Sequence, residues 1–303
     1  MHISLQTFLD VTEHANGLQD WQQEYCQLEA GFYSGQTVDI RSDNLRLFRE
    51  KANLAVTQKI NFPDHQQHIA IPLVQTKGGL FKNNALSLFP HACSFRAYAP
   101  SNYDVLILSV ERQKYPFLAH NAHQMRVLSI DAETFTLVKN EWRALTDYVR
   151  TQPSVEGNLY GIFTRKIEDG IALLLEQQCH MDRDESYYGT RRYIVDQCQA
   201  MIEASPHAPP SLMQLCRQLK ISRRTLQYSF ESEANCTPLH YIRALRLNAV
   251  RRRLLNSEQP STVISAAAEQ GFFHQSYFTR IYQQHFSELP SQTIKRAQAE
   301  YSA

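Results

Sequence analysis

Apolar side chains in the last third of the chain recur at spacings of three and four, and two stretches repeat one pattern. The first runs Leu215, Cys216, Lys220, Ile221, Ser222, Leu226 and Phe230. The second runs Ala266, Ala267, Gly271, Phe272, Phe273, Phe278 and Tyr282. The offset between copies is 51 before the turn and 52 after it, so the second turn is one residue longer. Each copy predicts a short helix, a tight turn and a second helix with one apolar face. Between them, Thr237-Pro238 supplies an N-cap and a first-turn proline for a long helix to about Asn256. Its expected apolar face is Tyr241, Ile242, Leu245, Ala249 and Leu254. Ser211 with Gln214 has the spacing of a capping box.

The first half has a different rhythm. From about Phe32 to Ile130 the pattern predicts strands, among them Gln36–Arg41, Leu45–Arg49, His68–Val74, Ala85–Phe89 and Tyr103–Val110. Lys77-Gly78-Gly79, Asn83-Asn84 and Ala99-Pro100-Ser101 read as turns. Asp131 then caps a helix carrying Phe135, Val138, Trp142, Leu145 and Val149, and another spans Leu159–Cys179, weakened by Gly161 and Gly170. Charged Met181–Gly189 reads as a linker, and a helix with Ile194, Cys198, Met201 and Ile202 on one face follows Thr190. The expected fold is an α+β, sensor-like domain over 1–185. An all-α domain over 186–303 carries two helix-turn-helix units joined by the long helix.

Charge sharpens this division. Residues 186–303 hold 14 Lys/Arg against 8 Asp/Glu, and residues 1–185 hold 17 against 22, although the whole chain is only +1. The basic half suits nucleic acid. No apolar run is long enough to span a membrane, and no secretion signal is apparent. The six cysteines are scattered without a CxxC pair, which fits a reduced cytoplasmic, nucleoid-associated setting.

A recognition helix keeps one face in its own core and offers the other to base edges. With Leu226 and Phe230 inward, Arg223, Arg224, Gln227 and Tyr228 lie outward; with Phe278 and Tyr282 inward, Gln275, Ser276, Thr279 and Arg280 do. Arginine pairs bidentately with guanine and glutamine with adenine. A solvated polar face is the alternative for one such helix, and the tandem arrangement argues against it. Ser222 is placed to cap the first recognition helix. Lys220 occupies a turn position that suits glycine, which predicts slight strain.

At these residues the chain resembles the AraC/XylS family of bacterial transcription regulators. The matching stretches are Ile221-Ser222-Arg223-Arg224-Thr225-Leu226-Gln227-Tyr228-Ser229-Phe230, Arg246-Leu247-Asn248-Ala249, and Gly271-Phe272 with Ser276-Tyr277-Phe278 and Pro290. The resemblance covers about residues 188–297 and implies two subdomains reading adjacent major-groove segments of promoter DNA. It implies base contacts at Arg224, Gln227, Tyr228, Gln275, Ser276, Thr279 and Arg280. It also implies an activator contacting RNA polymerase, with a homodimer possible. Lys220, Cys236 and Ser287 stand where the family often has glycine. Arg246 reads as a structural ion-pair partner, and Arg251-Arg252-Arg253 as phosphate contacts or a solvated run.

A narrower resemblance links Trp21-Gln22-Gln23, Leu28, Gly31-Phe32 and Leu47-Phe48-Arg49-Glu50 to regulators of ethanolamine utilisation. So does Arg246-Leu247-Asn248-Ala249-Val250-Arg251-Arg252. It implies ethanolamine and adenosylcobalamin as small-molecule effectors. The remaining constellations are weaker. His65/His68 and His120/His123 have a His-x-x-His spacing, but no carboxylate or cysteine completes a metal set. No GxSxG, phosphate-binding loop or dinucleotide fingerprint occurs, so no enzyme is expected. Phe62, Phe81, Phe89, Phe95, Tyr98 and Tyr103 either line an apolar ligand pocket or pack a core.

Overall fold

Side chains that alternate between two apolar environments build the first half into layers. The computed structural model describes residues 2–18, 21–42, 44–74, 85–90, 94–116, 125–152, 159–176, 189–256 and 261–301. Its strands are β1 (His2–Phe8), β2 (Gln22–Gln27), β3 (Gly35–Arg41), β4 (Leu45–Ala52), β5 (Val56–Asn61), β6 (Gln66–Pro72), β7 (Ala85–Leu88), β8 (Ser94–Ala99), β9 (Tyr103–Glu111) and β10 (Arg126–Ser129). Helix α1 (Val11–Asn16) follows β1, and α2 (Ala132–Thr151) and α3 (Leu159–Glu176) follow β10. A seven-stranded sheet has the order β1-β3-β4-β9-β6-β7-β10, and a three-stranded sheet the order β2-β5-β8. Every described strand pair is antiparallel.

The period of two along β4 explains the layering. Leu45 and Leu47 pack with Phe135, Val138, Trp142 and Ile167 of α2 and α3, while Phe48 and Ala52 face Val56, Ile60, Phe95 and Ala97 of the small sheet. Gly170 admits the close approach of α3 to α2, because a Cβ there would lie 2.6 Å from Trp142 Nε1. Asp131 caps α2 as expected, accepting from the Glu133 and Thr134 N–H groups at 3.1 and 3.0 Å.

The outer face of the small sheet carries the helical second half. Cys26, Leu28, Ala55 and Tyr98 share a core with residues of α4 (Thr190–Glu203), α5 (Leu212–Leu219), α6 (Arg223–Ala234) and α7 (Pro238–Leu255). A further core joins α7 to α8 (Val263–Glu269) and α9 (Gln275–Phe286). Helix α10 (Pro290–Tyr301) follows. Helix α7 therefore has two apolar faces, with Leu247, Val250 and Leu254 toward the second unit. The single face expected from periodicity is corrected in this way, and Ala249 is only half-buried.

Polar contacts also cross between the halves. Asp10, fully buried, caps α1 through Thr12 N–H at 2.7 Å and accepts from Arg251 at 2.6 Å and Arg296 at 2.9 Å. Burial alone would raise its carboxyl pKa, but the two guanidinium groups outweigh burial and hold it below the usual range. His285 Nε2 meets the Gln27 carbonyl at 3.0 Å, and Gln27 Nε2 donates to the His285 carbonyl at 2.9 Å. The turns expected at Lys77-Gly78-Gly79 and Asn83-Asn84, Phe81, the His120/His123 pair, the last residues of the Leu159–Cys179 helix and the linker from Met181 lie outside the described residues.

Candidate nucleic-acid interface

Local signals set the first helix pair. Ser211 and Gln214 form the expected capping box at the start of α5. The helix ends at Lys220, whose φ of 53° and ψ of 41° are left-handed, a conformation that disfavours a side chain with a Cβ. Residues 220–222 make the turn, and Ser222 accepts from Thr225 N–H at 3.0 Å to cap α6. Leu226 and Phe230 are buried, while Arg223, Arg224 and Tyr228 are exposed and Gln227 is half-buried.

The second pair has a longer connection, residues 270–274, between α8 and α9. Gly271 is needed there twice over. Its φ is +72°, and a Cβ would lie 2.8 Å from the Arg246 guanidinium and 2.9 Å from the His207 carbonyl oxygen. Phe278 and Tyr282 are fully buried; Gln275, Ser276 and Arg280 are exposed and Thr279 is half-buried. Among the described residues the N-cap of α9, His274, makes no side-chain cap bond to its first turn.

The structure thus places the eight residues singled out from sequence on the open sides of α6 and α9. It also shows what engages them. Gln227 Nε2 donates to Glu231 at 2.6 Å, one helical turn on. The Arg191 guanidinium lies 4.8 Å from the Tyr228 ring, bringing α4 to the edge of this surface. No local pattern announces Arg191, because its partner is 37 positions away. Arg280 lies 5.7 Å from the Tyr277 ring.

Other basic residues are committed elsewhere. Arg251 pairs with Asp10 and with Glu288 at 2.7 Å, Arg252 with Glu24 at 2.8 Å, and Arg253 with Glu269 at 3.6 Å. A solvated run does not describe Arg251, which is buried, whereas Arg252 and Arg253 are half-exposed. Arg246 is half-buried as expected, but it donates to the Gln270 carbonyl at 2.8 Å and stacks 4.3 Å from Phe272. No ion pair of Arg246 is found among the described residues. Arg217, Lys220, Arg223, Arg224 and Arg280 stay exposed on the helix pairs. Of the three departures from glycine, Lys220 and Ser287 are left-handed, whereas beside Cys236 it is Asn235 that adopts this conformation.

Comparison with known proteins agrees with this geometry. Residues 215–296 match the family described as a helix-turn-helix domain. An XylDLEGF operon transcriptional activator of Pseudomonas putida is 27% identical over 151 residues, covering 50% of this chain and 43% of that protein. A second XylDLEGF activator from that organism is 35% identical over 94 residues, 31% of this chain and 60% of that protein. The chain thus spans less than two thirds of these relatives' length. A solved structure of a probable AraC family transcriptional regulator from Rhodopseudomonas palustris is 30% identical, with a TM-score of 0.32, covering 35% of this chain and 97% of that one. Residues 215–296 are therefore a helix-turn-helix domain.

Proposed function

We propose that the chain is a sequence-specific, DNA-binding transcription activator in which both helix pairs are helix-turn-helix units. Helices α6 and α9 enter successive major-groove segments of double-stranded promoter DNA. Arg223, Arg224, Gln227, Tyr228, Gln275, Ser276, Thr279 and Arg280 face the bases and flanking phosphates. The observation that carries this reading is the matched pair of 12-residue helices, each with its apolar face buried and polar face open, spanned by α7. The names of the XylDLEGF activators support regulation as the role. The domain division at 185/186, contact with RNA polymerase and pairing of two copies belong to the same reading.

The first half acts as a small-molecule sensor in this account. It contains a narrow cleft between the two sheets, lined by Trp21, Glu50, Phe89 and Tyr103, with about 30 Å³ of free volume. The alternative is a first half that only dimerises or binds a protein. Adenosylcobalamin, with its corrin ring and nucleotide loop, does not fit in that cleft. A metal-binding first half is disfavoured by His65 and His68, of which the former is exposed and the latter buried against Ser109 at 2.8 Å.

Selection of bound fragments from random duplex DNA by the intact protein tests the function. Enrichment of one sequence, lost with Arg224→Ala and Arg280→Ala together, is expected. Binding without any sequence preference contradicts the reading.

A further inference from the structure

The turns of the two helix pairs differ by one residue, and that residue is an exposed phenylalanine. Lys220 matches Gly271 and Ile221 matches Phe272 at an offset of 51, whereas the N-caps Ser222 and His274 match at 52. The shared left-handed backbone of Lys220 and Gly271 supports this pairing. Phe273 is then the residue without a counterpart in the first turn. Phe272 turns inward, with its ring 5.4 Å from that of Phe278, while Phe273 is 78% exposed. A phenyl ring left in water contributes nothing to the core of the unit.

Phe273 does not stand alone. It lines a groove with Leu239 and Tyr277, which are 55% and 45% exposed. Arg243, Arg246 and His274 line the same groove, and no acidic residue does. Apolar surface bordered by basic side chains and free of carboxylates suits a polyanion that also offers methyl groups. DNA is such a partner, because each thymine presents its C5-methyl group in the major groove, where phenylalanine can pack against it. Position agrees with charge. Phe273 lies two residues ahead of Gln275, where α9 begins, and a recognition helix meets base edges with its N-terminal residues.

We propose that Phe273 selects a thymine methyl group in the major-groove segment read by α9. The proposal rests on the reading of α9 as a base-reading helix. The first turn lacks this residue, so the preference belongs to one segment only.

Titration of the full-length protein on a selected duplex tests it, with each thymine of that segment replaced singly by deoxyuridine. Deoxyuridine keeps the base-pairing edge and loses only the methyl group. One replacement is expected to weaken wild-type binding about three- to tenfold. Phe273→Ala should bind the parent duplex more weakly by a similar factor and no longer distinguish thymine from uracil at that position. Replacements in the segment read by α6 should act equally on wild type and Phe273→Ala. Where Phe273→Ala does not fold, Phe273→Ser takes its place. No thymine in the second segment, no replacement there that weakens binding, or undiminished sensitivity in the folded variant overturns the assignment. So does a variant that binds every duplex as wild type does yet no longer activates transcription, which marks the groove as a protein-docking surface. Selective DNA binding without the methyl preference removes this assignment alone, whereas binding without any sequence preference removes the base-reading role of α9 with it.

Discussion

The side-chain amide of Asn248 pairs with the main chain of Gln27, donating to its carbonyl at 2.8 Å and accepting from its N–H at 2.9 Å. Asn248 thereby closes the open edge of β2 as a neighbouring strand would. The amide also donates to the Ala244 carbonyl of its own helix at 2.8 Å, which fixes its rotamer. Asn248→Ala leaves the buried N–H of Gln27 unpaired and its carbonyl with His285 Nε2 alone, and should cost about 1–3 kcal/mol. Urea unfolding measures this, and an unchanged midpoint speaks against the contact as a fastener between the halves.

Asp10 is a second fastener, with a different signature. Its removal leaves buried Arg251 with Glu288 alone as acidic partner and α1 without its cap, so Asp10→Ala should destabilise by about 2–4 kcal/mol. Asp10→Ala with Arg251→Met should cost less than the sum of the two single substitutions, because Asp10 and Arg251 form one pair. Simple additivity of the two losses contradicts the assigned pairing.

These fasteners also show why the sequence disclosed some elements and hid others. Asp131, Ser211 and Thr237 act on N–H groups two or three residues away, so the helices they cap are legible locally. Strands β2 and β5 bury Gln27, Thr57 and Gln58, which breaks the apolar alternation that announces a strand. Gln27 and Thr57 are polar because their partners lie on the helical half, as Tyr241 Oη does 3.3 Å from Thr57. The outward faces of α6 and α9 were readable because their apolar positions are local. The fate of Arg251, Arg252 and Arg253 was not, since two of their acidic partners precede residue 25.

Lys220 predicts a gain. Its left-handed backbone costs a residue with a Cβ more than it costs glycine. Lys220→Gly should therefore raise stability by up to about 1 kcal/mol in thermal or denaturant unfolding. A loss would show that the lysine side chain contributes more than the strain removes.

Acid should weaken the fold. Burial holds His14 and His68 down to about 3 and His285 down to about 4, so the unfolded chain binds protons at these sites first. Stability then falls as pH drops below about 6.5 toward those values. Glu50, raised to about 7, works in the opposite sense: its folded form gains protons, and stability, as pH falls from 7 toward 4.5. Glu50→Gln removes this opposing contribution, so its stability between pH 7 and 5 should fall more steeply than that of the wild type. Parallel profiles for the two proteins contradict the burial of Glu50.

The most direct test of the account is a base-resolved footprint on a selected duplex, comparing wild type with Arg224→Ala and Arg280→Ala singly. Two protected major-groove segments about 34 Å apart are predicted. Each substitution should relax base preference in only one of them, at a cost of about 1–3 kcal/mol. Relaxation of the same segment by both, or an equal loss of binding on every sequence, would contradict two base-reading helices held apart by α7.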